Sequence, residues 1–358
     1  VTEQVDGYAQ DRWNGRAKLL WTPNERLNIE LTADHHEEND HAGYFNVIGG
    51  FVAEQLNAYG LLSPATTDYQ GNTANNNNAF LGIDYSDPAN PFPVCDGPAG
   101  VPIDHGLTRK VNGTALKIDY DISDSLALSS ITAYRTLKSE ISEDNDGSEY
   151  LILNVRSLMD NNELSQEFRL SGQSETLDWF VGASAYKADV AGRVNDSFGA
   201  ILTGQPFDET AIVDAKTESF ALFGDAIWSL TDATRLTFGL RASYDKKSQE
   251  LKNPQPFGLV FASPNQLLNS DGMPDPSLAT SEESWNNISP RLVLDYSFDN
   301  NTMVFAGVSQ GYKSGGFNSF PIVDINPESA TFGAVPFGAL EPFDEEKITN
   351  YEAGIKSI

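Results

Sequence analysis

The sequence predicts an all-β chain, specifically an antiparallel transmembrane β-barrel present in part, with about 11 strands. Three observations carry this. Segments of barrel-strand length alternate apolar and polar residues with period two, the pattern of a strand with one greasy and one wet side. The links between them alternate strictly between short turns and long loops, which is the plan of an outer-membrane barrel and has no reason to arise in a soluble sandwich. Trp13, Trp21, Tyr120, Trp179, Trp228, Tyr244, Trp285, Tyr296 and Phe298 cluster at or near arm ends, where a membrane interface favours amphipathic rings.

Taken in order, Trp13–Trp21 is the first strand, and Thr22-Pro23-Asn24-Glu25 is a turn. Arg26–Asp34 returns with Leu27, Ile29, Leu31 and Ala33 opposite Asn28, Glu30 and Thr32. A polar loop, residues 37–107, separates it from strand 109–120, in which Leu116, Ile118 and Tyr120 oppose Lys117 and Asp119. A turn near 123 leads to Leu126–Ile141, and loop 142–157 leads to Leu158–Gly172. A turn near 174 leads to Leu177–Val190, with Leu177, Trp179, Val181 and Ala183 on one face. Loop 193–215 precedes Lys216–Leu230, and a turn near 232 precedes Thr234–Leu251, whose Leu236, Phe238, Leu240, Ala242 and Tyr244 alternate most cleanly. Loop 253–284 separates this pair from the hairpin Ser289–Phe298 and Thr302–Tyr312, joined at Asp299, Asn300 and Asn301, whose short polar side chains suit a tight turn. Loop 318–346 and a last strand, Lys347–Ile358, complete the order.

Eleven strands place the two termini on opposite sides of a membrane and would leave two unpaired edges in lipid, which is not viable. Single-chain bacterial barrels have even strand counts. The expectation is therefore a central slice of a larger barrel. The opening Val1-Thr2-Glu3-Gln4 has no initiator Met and none of the basic and apolar regions of a signal peptide, which also reads as a fragment. No run approaches the roughly 18 apolar residues of a membrane helix. A lone cysteine, Cys95, excludes an internal disulfide framework. With 51 acidic against 23 basic residues, a net charge of −28, the chain lacks the basic face that a nucleic-acid partner or an anionic cytoplasmic leaflet requires.

The segments TFGLRASYDKK (237–247), SPRLVLDYSF (289–298), VFAGVSQGYKSGGFN (304–318) and NYEAGIKS (350–357) resemble the barrel of TonB-dependent outer-membrane receptors. ELSQEFRLSG with LDWFVGASAY (163–172, 177–186) and GRAKLLWTPNERL (15–27) are similar to earlier hairpins of that barrel. The resemblance covers nearly all the strands and none of the long loops. It implies a 22-stranded barrel in a Gram-negative outer membrane, a plug domain inside it, coupling to the TonB complex, and uptake of a scarce nutrient such as a ferric siderophore, cobalamin or a saccharide. The partners implied are outer-membrane lipid, TonB through the plug, and a small-molecule ligand. Residues 1–358 would be barrel alone, without plug, TonB box or C-terminal strands. A passive porin and a soluble all-β surface-binding protein, whose apolar faces would pack on each other, are the alternatives.

No catalysis and no cofactor are expected. Gly307-Val308-Ser309-Gln310-Gly311 fits the G-x-S-x-G elbow, but that motif needs a strand-to-helix turn and a later His, and the last histidine is His105. Asp34-His35-His36-Glu37-Glu38-Asn39-Asp40-His41 suggests metal capture by His36, Glu37 and His41, yet His36 and His41 are five apart and not four on a helix. A solvated rim is the expectation there. Glu140, Glu143, Asp144, Asp146 and Glu149 make an acidic loop without the EF-hand pattern, since Ser142 and Leu153 hold the first and twelfth ligand positions. The strand pattern points Arg169, Arg235, Arg241, Arg291, Asp295, Glu167, Glu352 and Lys356 inward, as candidates to meet a plug or the substrate path. Ligand specificity is assigned to loops 37–107, 253–284 and 318–346.

Overall fold

The computed structural model describes residues 10–41, 106–144, 153–198, 207–255, 258, 260–298, 301–318, 321–324, 326, 328–335 and 341–357. They form one eleven-stranded antiparallel sheet in simple sequence order. The strands are β1 (Arg12–Asn24), β2 (Leu27–His41), β3 (Gly106–Ser123), β4 (Leu126–Asp144), β5 (Leu153–Gln173), β6 (Leu177–Phe198), β7 (Phe207–Ser229), β8 (Thr234–Leu251), β9 (Thr280–Ser297), β10 (Thr302–Lys313) and β11 (Glu346–Ser357).

Each of the five tight turns has a chemical reason. Asn24 Oδ1 accepts from the Arg26 N–H at 2.9 Å, and Ser123 Oγ from the Ser125 N–H at 3.3 Å. Ser174 Oγ accepts from the Leu177 N–H at 3.1 Å, and Thr231 Oγ1 accepts from both Ala233 and Thr234. Asn301 takes φ = 60°, a left-handed conformation that Asn tolerates better than most residues.

The sheet is inverted relative to a soluble protein. Cross-strand neighbours share a face, so Trp179, Ala226, Phe238, Leu292, Val308 and Tyr351 form one continuous apolar row. Most of that row is exposed: Phe238 is 51% accessible, Leu292 44% and Tyr351 78%. Leu116, Leu128, Leu164, Phe168, Phe220 and Leu222 are likewise exposed on this face. The opposite face carries the charges and is half-buried. Apolar-out and polar-in is the requirement of a wall between lipid and a wet lumen. The outward faces do not pack on each other, as the soluble alternative required.

The strands outrun the membrane. A spanning strand needs about 9–11 residues, whereas β6 has 22 and β7 has 23. Their ends on the long-loop side, beyond Ala191 and before Asp214, stand clear of the apolar belt. The sequence pattern ended the second strand at Asp34 and began the seventh and ninth at Lys216 and Ser289. The ladders run on to His41 and start at Phe207 and Thr280. Above the belt both faces are wet, so alternation fades while backbone pairing continues.

The buried core lies among the loops. Val213 and Leu251 on the inward face pack with Ala262, Leu267, Ala279, Val323 and Val335. Residues Pro264–Gln266 and Pro276–Ala279 form short 3-10 turns within this cap. Gln266 braces it, accepting from the Gly258 and Ser263 N–H groups and donating to the Gly258 and Gly333 carbonyls.

Candidate functional site

The inward wall is a field of charge whose pairing follows from cross-strand register. Arg235 and Asp295 are direct neighbours on β8 and β9, and Arg235 Nε donates to Asp295 Oδ1 at 2.9 Å. Arg291 reaches Asp225 at 3.7 Å, across the gap left by Gly239. Nearer the long loops, Arg135 meets Asp34 at 3.6 Å. Glu38, almost fully buried, draws Arg12 to 3.0 Å and Arg109 to 3.2 Å. A concavity of about 580 Å³ opens on this face, lined by Val111, Leu137, Met159, Asn161 and Glu163 among others.

Arg169 and Arg241 are different. The Arg169 guanidinium lies 3.6 Å from the centroid of the Phe180 ring, and that of Arg241 lies 5.4 Å from the Phe223 ring. Phe180 and Phe223 meet edge-to-face at 6.2 Å. Gly182 makes room for this: a Cβ there would stand 2.6 Å from Phe223 Cζ. Arg169, Gly182, Phe223 and Arg241 occupy one cross-strand row. Phe180, Phe223 and Gly182 were not singled out from sequence. The signal was present: Phe180, between outward Trp179 and Val181, is an apolar residue at a polar-phase position.

The other inward candidates lie where the alternation put them. Glu352 pairs across from Gly307, and Lys356 from Met303, with the Lys356 amine 5.7 Å from the Phe305 ring. Glu167 shares its row with Lys117 and Ser184.

The histidine-rich segment is strand, not loop. His36 faces inward, with Nε2 3.5 Å from Glu38 Oε2, whereas Glu37 faces outward to Lys110 at 2.7 Å. Adjacent strand residues point to opposite faces, so these two do not converge. His35 stacks on Trp13 at 4.5 Å. His41 pairs with Gly106 at the strand end. Among the described residues no group of three His, Cys, Asp or Glu could hold a metal. Glu140 binds Arg156 at 2.7 Å; Asp146 and Glu149 lie outside the described residues, as do most of loop 37–107 and Cys95. Trp285 is not an interface residue: it is buried on the inward face, 5.8 Å from the Lys247 amine and edge-on to Phe317 at 6.2 Å. Lys247 and Gln249 pin the chain after β10 across the wall, donating to the Gly315 and Asn318 carbonyls at 2.7 and 3.1 Å. The G-x-S-x-G segment is plain strand within β10.

On the loop side, Glu209 Oε2 accepts from the Val260 and Phe261 N–H groups at 2.8 and 2.9 Å, tying the cap to β7. Its cross-strand neighbour Asp196 is 8% accessible. Burial, helped by the Glu209 charge, pushes the Asp196 carboxyl up to about 7.

A family model described as "TonB dependent receptor-like, beta-barrel" matches residues 52–357. The chain belongs to the TonB-dependent receptor family. The pesticin receptors of Yersinia enterocolitica and Yersinia pestis are 24% and 25% identical over 201 residues, 54% of this chain and 24% of theirs. The ferric yersiniabactin uptake receptor FyuA from Yersinia pestis superposes with a TM-score of 0.62 over the whole chain and 44% of its own, at 19% identity. The siderophore receptor PiuA from Acinetobacter baumannii gives 0.60 over 99% of this chain and 48% of its own, at 11% identity. This chain thus spans about a quarter of the curated relatives and less than half of the solved receptors. As in those TonB-dependent receptors, the eleven strands are barrel wall. Receptors of this family are transporters and not enzymes.

Proposed function

We propose that this wall belongs to an outer-membrane receptor that captures a ferric siderophore and imports it with energy delivered through TonB. The observation that carries the reading is the inverted sheet, exposed apolar rows outside and charged residues within, beneath a packed cap of long loops. Solved receptors similar to it in fold include one titled a ferric yersiniabactin uptake receptor and one titled a siderophore receptor. Strands β1 and β11 are exposed along almost their whole length and offer unpaired edges. Such edges are untenable in lipid, so further strands pair with them, and a plug domain within the closed barrel carries the TonB contact.

The test is transport. The full-length protein, expressed in a Gram-negative host stripped of its own ferric-siderophore receptors, is expected to restore uptake of radioactive iron supplied as siderophore complexes. A protonophore should abolish that uptake. Uptake that ignores the protonophore would mean a passive porin, and failure across the siderophore classes would refute the siderophore assignment.

A further inference from the structure

We propose that Asp196 and Glu209 form a proton-operated latch for the loop cap: with Asp196 neutral the cap is held down on the wall, and as Asp196 ionises the cap is released. The latch concerns the cap alone and is independent of which cargo the receptor takes.

The two carboxyl groups are direct cross-strand neighbours on β6 and β7, on the inward face and on the loop side of the apolar belt. They are 8% and 3% accessible. Like charges directly opposite each other destabilise a sheet, and burial sharpens the cost. Their surroundings set the two apart. Glu209 Oε2 accepts from the Val260 and Phe261 N–H groups, bonds that favour an ionised carboxylate. Asp196 Oδ1 is buried with no hydrogen-bond partner, a setting that favours the neutral form. The pair therefore keeps its charge on Glu209 and its proton on Asp196.

The neighbours of Asp196 supply no relief. On β5 it faces Val155, with Glu143 beyond on β4, and Glu209 is the charged group that acts on it. Lys252, just past β8, pairs with Asp214 and Glu250 instead. The cap is tied down beside Glu209 by two neutral amides as well: Asn253 Nδ2 donates to the Ala262 carbonyl at 2.7 Å and Gln255 Nε2 to the Phe261 carbonyl at 3.1 Å. These amides do not titrate, so the proton acts through Glu209. Lifting Val260 and Phe261 off Glu209 admits water to both carboxyl groups, and Asp196 returns toward its ordinary value near 4 from about 7. The closed cap thus holds the Asp196 proton more tightly than the open cap. Linkage then requires opening to become easier as pH rises from about 4 to about 7, and to level off above.

Amide hydrogen exchange of the full-length protein in detergent micelles tests this. Comparing a variant with wild type at one pH cancels the intrinsic pH dependence of exchange. The wild-type rate at the Val260 and Phe261 amides, divided by the rate in Asp196→Asn, should grow at least about tenfold between about pH 5 and about pH 8. Glu209→Gln should exchange these amides faster than wild type at about pH 5, because the charged acceptor is gone. A ratio constant with pH overturns the proposal, as do Val260 and Phe261 amides equally protected in Glu209→Gln and wild type. Equal growth of the ratio at the amides of residues 236–244 in β8 also overturns it, because the opening would then be unfolding of the whole sheet.

Discussion

Single residues on this wall are defined by which face they occupy and by what register brings beside them. Gly182 shows the second condition most sharply. An added methyl would stand 2.6 Å from Phe223 Cζ and 2.9 Å from the Phe168 carbonyl oxygen, and the backbone contact cannot yield as a side-chain tip can. Gly182→Ala is expected to cost about 1–3 kcal/mol, the range of overpacking, and to displace the Phe223 ring from Arg241. Urea unfolding of the full-length protein in micelles reads the cost; an unchanged midpoint would mean that the ring gives way freely. Asp295 tests the pairing. It is 7% accessible, while its partner Arg235 is half exposed. Arg235→Gln should therefore cost about 1–2 kcal/mol, less than a fully buried pair, and Asp295→Asn in the same chain should recover part of it. Absence of that recovery in the double-variant cycle would show that the two groups do not depend on each other. The face of each of these residues was legible from alternation along one strand. Their partners were not, because a partner is set by the register between strands far apart in sequence, sixty positions for Arg235 and Asp295.

At the level of elements, the apolar belt and the ladder above it obey different rules. Within the belt, period-two alternation reports the strand directly, and all eleven strands were legible there. Above it, Glu37 and Glu38 face opposite sides yet are both charged, so the pattern is silent while the β2–β3 ladder continues to His41 and Gly106. The loop cap was illegible for a related reason: Gln266, Asn253 and Glu209 are buried polar residues whose roles come from backbone groups far away in sequence. Asp196 links this cap to pH. Its carboxyl is raised to about 7 in the folded protein by burial and by Glu209, against an ordinary value near 4 when unfolded. The native state then holds the proton more tightly than the unfolded state. Its contribution is fully present below the unfolded value and is lost as pH rises through about 7. The melting temperature should accordingly fall as pH rises from the unfolded value near 4 to about 7 and level off above it, and Asp196→Asn should flatten the fall. An equal fall in the variant would place the titrating group elsewhere.

For the molecule as a whole, the decisive property is where its apolar surface points. The largest buried apolar cluster among the described residues is the small one among the loops, while the long outward rows of Leu, Phe, Tyr and Trp stay accessible. A water-soluble protein could not expose such a surface, since patches beyond a few hundred Å² drive association. Lipid removes the problem and replaces it with a depth-dependent penalty for charge. Leu240 is the centre of the five outward residues from Leu236 to Tyr244, is 42% accessible, and pairs with Pro290 and Gly224. Leu240→Arg in the full-length receptor folded into bilayers should cost about 2–4 kcal/mol if this position sits near the bilayer midplane. Leu240→Met, which keeps the surface apolar at similar volume, should cost under about 1.5 kcal/mol. Repeating the arginine substitution at the exposed outward Tyr296 and Ile355, each within two residues of the turn end of its strand, should give smaller losses, because the penalty fades toward the interface. A loss graded with depth is the signature of hydrocarbon. A loss equal at all three positions would mean that the outward face packs against protein, and no loss at any of them would mean that it faces water.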